Sequence, residues 1–385
     1  MSDPLAAREH ADDVDVLIVG GGPVGAALAL LIADTNARTA VVSPSPAPMP
    51  FRPIALAHPS YRLLDSVLPM ATVPTTPITR IDVRQQSGIG HTELTAADCD
   101  VTALGHVADL SALSRALLAA AQALHIEGRV TSWSSSATSA SATIQRPDGT
   151  TMPYRARLIV IADGGRHSDA ESIDYRQSAV TGLVRTTMVH GGRAWECFTR
   201  DGPLALLPYE DRYAIVWSNE TQTAERIATL PTNDFLARLA ATFGSRLGRF
   251  HDIEELTVTP LFMRRGKPST APRCITIGNA AQVLHPVAGQ GLNLGLRDAA
   301  ALATLIRSYS LDALGDTDFI KSFDRKRWLD RSLTARVTDS LVRGFAIDSA
   351  AARIARGIAL TILDATPPAR AAFAQRMMSG VRGPF

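Results

Sequence analysis

The sequence predicts an α/β fold: a Rossmann-like domain interrupted by a β-rich insertion and completed by C-terminal helices. Three observations predict it. A short apolar strand, Asp15-Val16-Leu17-Ile18-Val19, runs into Gly20-Gly21-Gly22-Pro23-Val24-Gly25 and then into the helical stretch Ala26 to Ala33, the strand–turn–helix order of a dinucleotide-binding turn. Leu158-Ile159-Val160-Ile161-Ala162 is continuously apolar, as a parallel strand buried on both faces must be. Between that strand and a third one at 274–278 lies a block that reads as strands and turns.

The elements follow in order. Thr39 to Ser43 is the second strand of the first βαβ unit. Pro44, Pro46, Pro48, Pro50 and Pro53 then exclude regular structure. A helix is expected from about Tyr61 to Leu68. Ile78 to Glu93 alternates as a hairpin with its turn at Ser87–Gly90. Asp109 to Ala123 is a strong helix with Leu110, Leu113, Leu117 and Leu118 on its apolar face. Thr131 to Gln145 reads as a polar-faced hairpin. In the β-rich block the strands are Val180–Val184, Ala194–Phe198, Leu204–Leu207 and Tyr213–Trp217, and a helix near Thr232–Phe243 closes it. Helices fill the rest, among them Ser349–Leu363 with Ala351, Ile354, Ile358 and Ile362 at helical spacing. The expected organisation is a nucleotide-binding domain in three parts (1–77, 99–173 and 259–320). Strands at 78–98 and the block at 174–258 form the substrate domain, and C-terminal helices occupy 321–385.

With 385 residues, 46% hydrophobic and 20% charged, the chain has the composition of an ordinary globular protein. Its net charge of +2 provides no field for nucleic acid. Cys99, Cys197 and Cys274 are far apart, form no metal-spaced pair and read as free thiols of a reducing compartment. Met1 to Asp15 is polar, so no secretory signal is read there. Val16 to Ala33 carries no charge, yet Gly20-Gly21-Gly22-Pro23 splits it and excludes a membrane span. The expected location is cytoplasmic. Lys321 to Phe385 holds 12 Lys/Arg against 5 Asp, a local net of +7. That excess reads either as solvated helix faces or as a surface for anionic lipid or a partner protein.

Two Gly-rich segments carry the chemistry. In the first, Gly20 allows the tight turn, Gly22 lets a pyrophosphate approach the backbone, and Gly25 lets helix and strand pack closely. The second runs from Gly278-Asn279-Ala280-Ala281-Gln282 through Leu284-His285-Pro286 to Gly289-Gln290-Gly291-Leu292-Asn293, and is uncharged until Arg297. It enters an apolar helix, whose positive N-terminal end suits an anion or an electron-rich ring.

Together with a third segment, Ile161-Ala162-Asp163-Gly164-Gly165-Arg166-His167-Ser168, these motifs resemble those of the FAD-dependent aromatic-ring hydroxylases (class A flavoproteins). The resemblance covers roughly residues 14 to 345. It is tightest with the ubiquinone-biosynthesis hydroxylases, in particular the 2-polyprenyl-6-methoxyphenol hydroxylases. Besides the Gly278 run, Arg52-Pro53-Ile54-Ala55-Leu56 is similar to elements of that branch. So are Gly192-Arg193-Ala194 with Glu196 and Phe198, and Gly202-Pro203-Leu204-Ala205 with Leu207-Pro208. The resemblance implies an aromatic-hydroxylase-like fold, FAD as cofactor and NAD(P)H as reductant. Oxygen is activated as a flavin hydroperoxide, and the substrate is a polyprenyl phenol. It implies that Gly20, Gly22 and Gly25 hold the pyrophosphate and that Arg52 lies near it or the flavin. Asp163 and Gly164 support the Gly-rich end and bear on NADPH use, and Asn279 meets ribityl or pyrophosphate oxygens. Pro286, Gly289, Gln290, Gly291, Leu292 and Asn293 surround the ring, with His285 and Pro286 as the residues nearest the chemistry. No dedicated acid–base residue is required.

The chain departs from the pattern in three places. Ser43 stands where an acidic residue would hold the adenosine ribose, a loss of about 1.5–3 kcal/mol for a hydrogen bond to a charged group. Asn279 replaces an Asp. The Asp163 segment is one residue longer than the family pattern. Substrate-pocket candidates are His190, Phe198, Leu206, Pro208 and Trp217. Two alternatives stand beside this reading. One is a hydroxylase of a small aromatic acid, using Arg193 and Arg200. The other is a flavin-poor structural subunit of a ubiquinone-biosynthesis complex. The basic C-terminal helices are candidates for contact with such a complex or with the inner membrane.

Overall fold

The computed structural model describes residues 13–45, 49–86, 90–166, 172–265, 271–284, 289–346 and 349–380. Its first half contains β1 (Asp13–Val19), α1 (Pro23–Leu31), β2 (Thr39–Ser43), β3 (Pro53–Ala57), α2 (His58–Asp65), β4 (Thr75–Ile78), β5 (Arg80–Gln85) and β6 (His91–Thr95). There follow β7 (Gly105–Asp109), α3 (Leu110–Ala120), β8 (His125–Glu127), β9 (Arg129–Ser135), β10 (Ala140–Gln145), β11 (Thr151–Ile161) and β12 (Ser172–Thr186). The remainder holds β13 (Arg193–Thr199), β14 (Gly202–Tyr209), β15 (Arg212–Glu220), α4 (Thr221–Ala228), α5 (Thr232–Phe243), β16 (Phe250–Arg265) and β17 (Cys274–Thr276). It ends with β18 (Gln282–Val283), α6 (Gln290–Ser308), α7 (Thr317–Ala346), α8 (Ala350–Ala365) and α9 (Pro367–Ser379).

The first sheet has the order β8-β2-β1-β11-β10-β9, with β17 added alongside the C-terminal half of β11. Its core pairings β2–β1, β1–β11 and β11–β17 are parallel. Both faces are covered, which is why the strands are continuously apolar. Val16 and Ile18 face α1, α6 and α7 in one cluster with Leu28, Leu302 and Phe319. Leu17 and Val19 face the opposite way, packing with Val130, Ile144 and Ile161 under the β9–β10 hairpin.

The second sheet has eight strands in the order β18-β16-β12-β15-β14-β13-β5-β6. Its pairings are antiparallel except β13 with β5. β16 carries the sheet past residue 258 to Arg265, and β5, β6 and β18 extend it with strands from distant parts of the chain. One face is sealed by α4 and α5, with Trp217, Leu204, Leu206 and Ile215 packed against Phe235, Leu239 and Phe243. The other face is open to a cleft. A small third sheet, β3-β7-β4, lies between the two bodies.

Two helix starts differ from the sequence expectation for local reasons. The helix expected from Tyr61 begins at His58, with Pro59 in its first turn, where a missing N–H costs nothing. Asp109 caps α3 rather than joining it, accepting the Ala112 amide at 3.0 Å.

A buried charge cluster fixes α6 to α7. Asp298 Oδ1 accepts from Arg327 Nε at 2.7 Å and its Oδ2 from Arg331 at 2.9 Å, while Asp330 takes Arg297 Nε at 2.8 Å. Burial alone would raise Asp298, but the guanidiniums of Arg331 and Arg327 outweigh it and hold the carboxyl below its ordinary value. The same Asp298 Oδ2 accepts the Gly278 amide at 3.3 Å, so the cluster also anchors the turn before the second Gly-rich segment.

Candidate active site

A continuous cavity of about 1100 Å³ runs from the first Gly-rich turn, past the N-terminus of α6, to the open face of the eight-stranded sheet. The Gly20–Gly25 turn forms one end. Gly20 has φ +115°, and a Cβ there would collide with the Ala162 carbonyl; a Cβ on Gly25 would collide with the Gly20 carbonyl. Gly22 is different. It caps α1 at φ −68°, a value any residue adopts, and a Cβ there would meet no protein atom within 4 Å. The space beside it is open to a group from outside the chain. A pyrophosphate approaching the N-terminus of α1 is such a group, and the cradle fits it.

The Asp163 segment lies beside this turn. Asp163 Oδ1 accepts the Gly165 amide at 2.8 Å. Gly164 and Gly165 both have positive φ, +77° and +91°. Arg264 donates to the Gly165 carbonyl at 3.1 Å. His167 and Ser168 lie outside the described residues.

At the end of β2, Ser43 lines the cleft with its Oγ 2.9 Å from His125 Nε2. The nearest carboxylate on the neighbouring strand is Glu127, exposed and taken up by the Ser45 hydroxyl. Arg52 also lines the cleft; its amide donates to Asp109 Oδ1 at 3.1 Å.

At the α6 end, Asn279, Gly289, Gln290, Gly291, Leu292 and Asn293 all border the cleft. The exposed Asn279 side chain opens into it. Asn293 borders the cleft while its amide is bonded to the protein. Oδ1 accepts the Ala57 amide at 2.8 Å, and Nδ2 donates to the carbonyls of Ala55 and Gly289 at 2.9 and 2.7 Å. These bonds brace β3 against the start of α6. Gln290 Nε2 likewise donates to the Met377 carbonyl of α9 at 3.0 Å. His285 and Pro286 lie outside the described residues.

The substrate candidates divide by strand parity. Phe198 borders the cleft together with Ala194 and Glu196 on β13, Pro203, Ala205 and Leu207 on β14, and Val216 and Ser218 on β15. Leu206 and Trp217 sit one residue out of phase, in the sealed cluster under α4 and α5 at 0% and 2% exposure. Pro208 is buried on the same parity as Leu206. Period-2 alternation places neighbours on opposite faces, so these three are not cleft residues. His190 is a turn residue. Its Nδ1 accepts the Gly192 amide at 3.0 Å, which leaves Nε2–H to donate to the Glu210 carbonyl at 2.7 Å.

Two contributions to the cleft are absent from the sequence expectations. The C-terminal helices form part of the wall, through Leu360 and Leu363 of α8 and Phe373 and Met377 of α9. Glu196 is the other. Its half-buried carboxyl faces the cleft from an apolar strand, and desolvation pushes it up to about 7. The signal was legible in Ala194-Trp195-Glu196-Cys197-Phe198: an acid sharing its face with Ala194 and Phe198 while Trp195 and Cys197 pack behind.

A Gly-cradled nucleotide end, a helix N-terminus midway and an apolar sheet face beyond it define the class of FAD-dependent aromatic-ring hydroxylases. The chain belongs to the FAD binding domain family, whose model matches residues 13–328. It is 31% identical over 393 residues to ubiquinone hydroxylase UbiL of Rhodospirillum rubrum, covering 96% of this chain and 90% of that protein. It is 28% identical over 377 residues to the 3-demethoxyubiquinol 3-hydroxylase of Escherichia coli, covering 90% and 93%. Among solved structures, p-nitrophenol 4-monooxygenase PnpA from Pseudomonas putida matches with TM-score 0.74 at 17% identity, over 95% of this chain and 98% of that one. That last likeness is one of fold.

Proposed function

We propose that the chain hydroxylates the ring of a polyprenylated phenol in ubiquinone biosynthesis, with FAD in the cleft and NAD(P)H as reductant. The overall change is ArH + O2 + NAD(P)H + H⁺ → ArOH + H2O + NAD(P)⁺. FAD, when bound, supplies reduction and oxygen activation; the chain's own residues bind, orient and exclude water. In this reading Gly20, Gly22 and Gly25 cradle the pyrophosphate, with Ser43 at the adenosine ribose and Arg52, Asp163, Gly164 and Asn279 along the cofactor. Gly289, Gln290, Gly291 and Leu292 edge the ring, braced by Asn293. His285 and Pro286 belong to the same segment.

The observation that carries the substrate class is the apolar sheet face closed by Leu360, Leu363, Phe373 and Met377, which suits a prenyl tail. A small aromatic acid on the open sheet face would need a cationic partner there. Arg193 is instead paired with Glu93 at 2.9 Å, and Arg200 sits exposed beyond the end of β13.

No helix among the described residues is long and apolar enough to cross a membrane. The C-terminal basic excess is partly internal: Arg327 and Arg331 serve the buried cluster, and Arg370 pairs with Asp98 at 2.7 Å. What α8 does present outward is Ile354, Ile358 and Ile362, about half exposed, on the helix whose Leu360 and Leu363 line the cleft. That stripe supports contact with the membrane holding the substrate. Mass spectrometry of quinone precursors in a deletion strain tests the function. A prenylated phenol lacking one ring hydroxyl is expected to accumulate; unchanged ubiquinone with no precursor would contradict it.

A further inference from the structure

One cross-strand row on the open face of the large sheet carries an unexpected pair of polar groups. Strand register aligns Thr92, Val83, Glu196, Ala205, Val216 and Thr181 side by side across β6, β5, β13, β14, β15 and β12, and all six border the cleft. Residues directly opposite one another share a face, so Glu196 lies between apolar Val83 and Ala205. Thr181 is occupied, with its Oγ1 2.7 Å from Thr257 Oγ1. Thr92 is not. It is 1% exposed, and its Oγ1 has no hydrogen-bond partner among the described residues. Nor is any hydrogen bond or ion pair to the Glu196 carboxyl found among them.

The charged groups on the surrounding elements are engaged elsewhere. Asp82 and Arg84 of β5 pair with each other, and Arg84 lies over the Trp195 ring at 5.0 Å, on the face opposite Glu196. Glu93 of β6 pairs with Arg193 of β13. Arg356 of α8 donates to Gln85 Oε1 at 3.2 Å, and Asp364 accepts the Glu93 amide at 2.9 Å. A half-buried acid and a buried hydroxyl left without protein partners are costly, and both border the cleft.

We propose, resting on the phenol-hydroxylase reading above, that Glu196 is the base that takes the proton of the substrate's ring hydroxyl, with Thr92 as a second polar contact to the bound ring. The phenol O–H bond breaks, its electron pair stays on oxygen as phenolate, and the proton forms a new O–H bond on the carboxylate. No electrons leave Glu196 and no further reactant is needed. The phenolate enriches the ring carbons ortho and para to it, where an electrophilic oxygen is accepted. After turnover the carboxyl returns its proton to water. Burial raises the carboxyl to about 7, close to neutral pH, where a general base is most effective.

The test compares wild type, Glu196→Gln and Glu196→Asp as flavin-loaded protein, using a 2-methoxyphenol with a short prenyl tail as probe. Calorimetric binding of the probe, without NAD(P)H, is expected to strengthen in wild type as pH rises through about 7. It should be flat with pH in Glu196→Gln and regain its dependence in Glu196→Asp. Hydroxylation in Glu196→Gln should fall roughly 100-fold or more, losing the same rising limb, while the flavin spectrum and melting temperature at pH 5 stay as in wild type. An unchanged pH profile in Glu196→Gln, or a wild-type profile with no limb near neutrality, would overturn the proposal. If wild type itself fails to hydroxylate any prenylated phenol, the functional reading has failed instead.

Discussion

The two faces of the eight-stranded sheet are built from the same strands and from similar apolar residues, yet they do different work. On the sealed face Trp217, Leu206, Tyr213 and Trp195 pack against α4 and α5, with Trp217 and Tyr213 each at 2% exposure. On the open face Phe198, Leu207, Val216 and Glu196 border the cleft. Composition does not separate them; parity does. A residue one position along a strand changes from packing under the helices to bordering the cleft. The apolar side chains are also covered differently: by α4 and α5 on one face, and in part by the C-terminal helices on the other.

The sharpest way to break this comparison is a matched pair one residue apart. Leu206→Asp places an unpaired carboxylate in the sealed cluster and is expected to cost about 3–5 kcal/mol, read as a lowered denaturant midpoint and a loss of soluble protein. Leu207→Asp places the same charge at the cleft. It should fold with a near-native midpoint, keep its flavin spectrum and weaken the prenylated substrate roughly tenfold or more, about 1.4 kcal/mol. Equal stability loss in the two would refute the assignment of faces. Trp217→Ala should also cost about 3–5 kcal/mol, leaving the flavin dissociation constant of the folded fraction unchanged.

At the nucleotide end the expected effects are smaller and leave the sheet untouched. Ser43→Glu restores an acceptor at the end of β2 beside His125 and should tighten FAD by about 1.5–3 kcal/mol, read by titrating apoprotein; an unchanged dissociation constant would show that the ribose is held elsewhere. A pH signature is expected on the open face as well. Glu196 is raised from 4.5 to about 7 in the fold. The folded state therefore binds more protons than the unfolded one between those values, and stability falls as pH rises through that window. Glu196→Gln removes the dependence. It should match wild type at pH 5 with a flatter profile, and melt higher at pH 8.

Much of this was legible beforehand. The strand–turn–helix at Asp15–Ala33 and the parallel strand at Leu158–Ala162 follow from local apolar runs and glycine spacing, and both stand where they were expected. The strands of the insertion were legible as strands, but not their inward and outward faces, because each face meets apolar surroundings. Leu206, Pro208 and Trp217 were therefore expected in the wrong layer. Asn293 was legible as a residue of the site, but its bonds to Ala55 and Ala57 depend on a contact across more than two hundred positions. The wall formed by α8 and α9 depends likewise on how distant segments dock, which no local pattern encodes.

The central claim is that an apolar phenol lies on the open face beside FAD and receives an oxygen atom there. It is tested most directly by supplying the flavin-loaded protein with a prenylated phenol, NAD(P)H and 18O2 and weighing the product. The structure predicts a phenol carrying one 18O atom, with NAD(P)H consumption accelerated by the substrate. Hydrogen peroxide as the sole oxygen product, at a rate indifferent to the phenol, would contradict it.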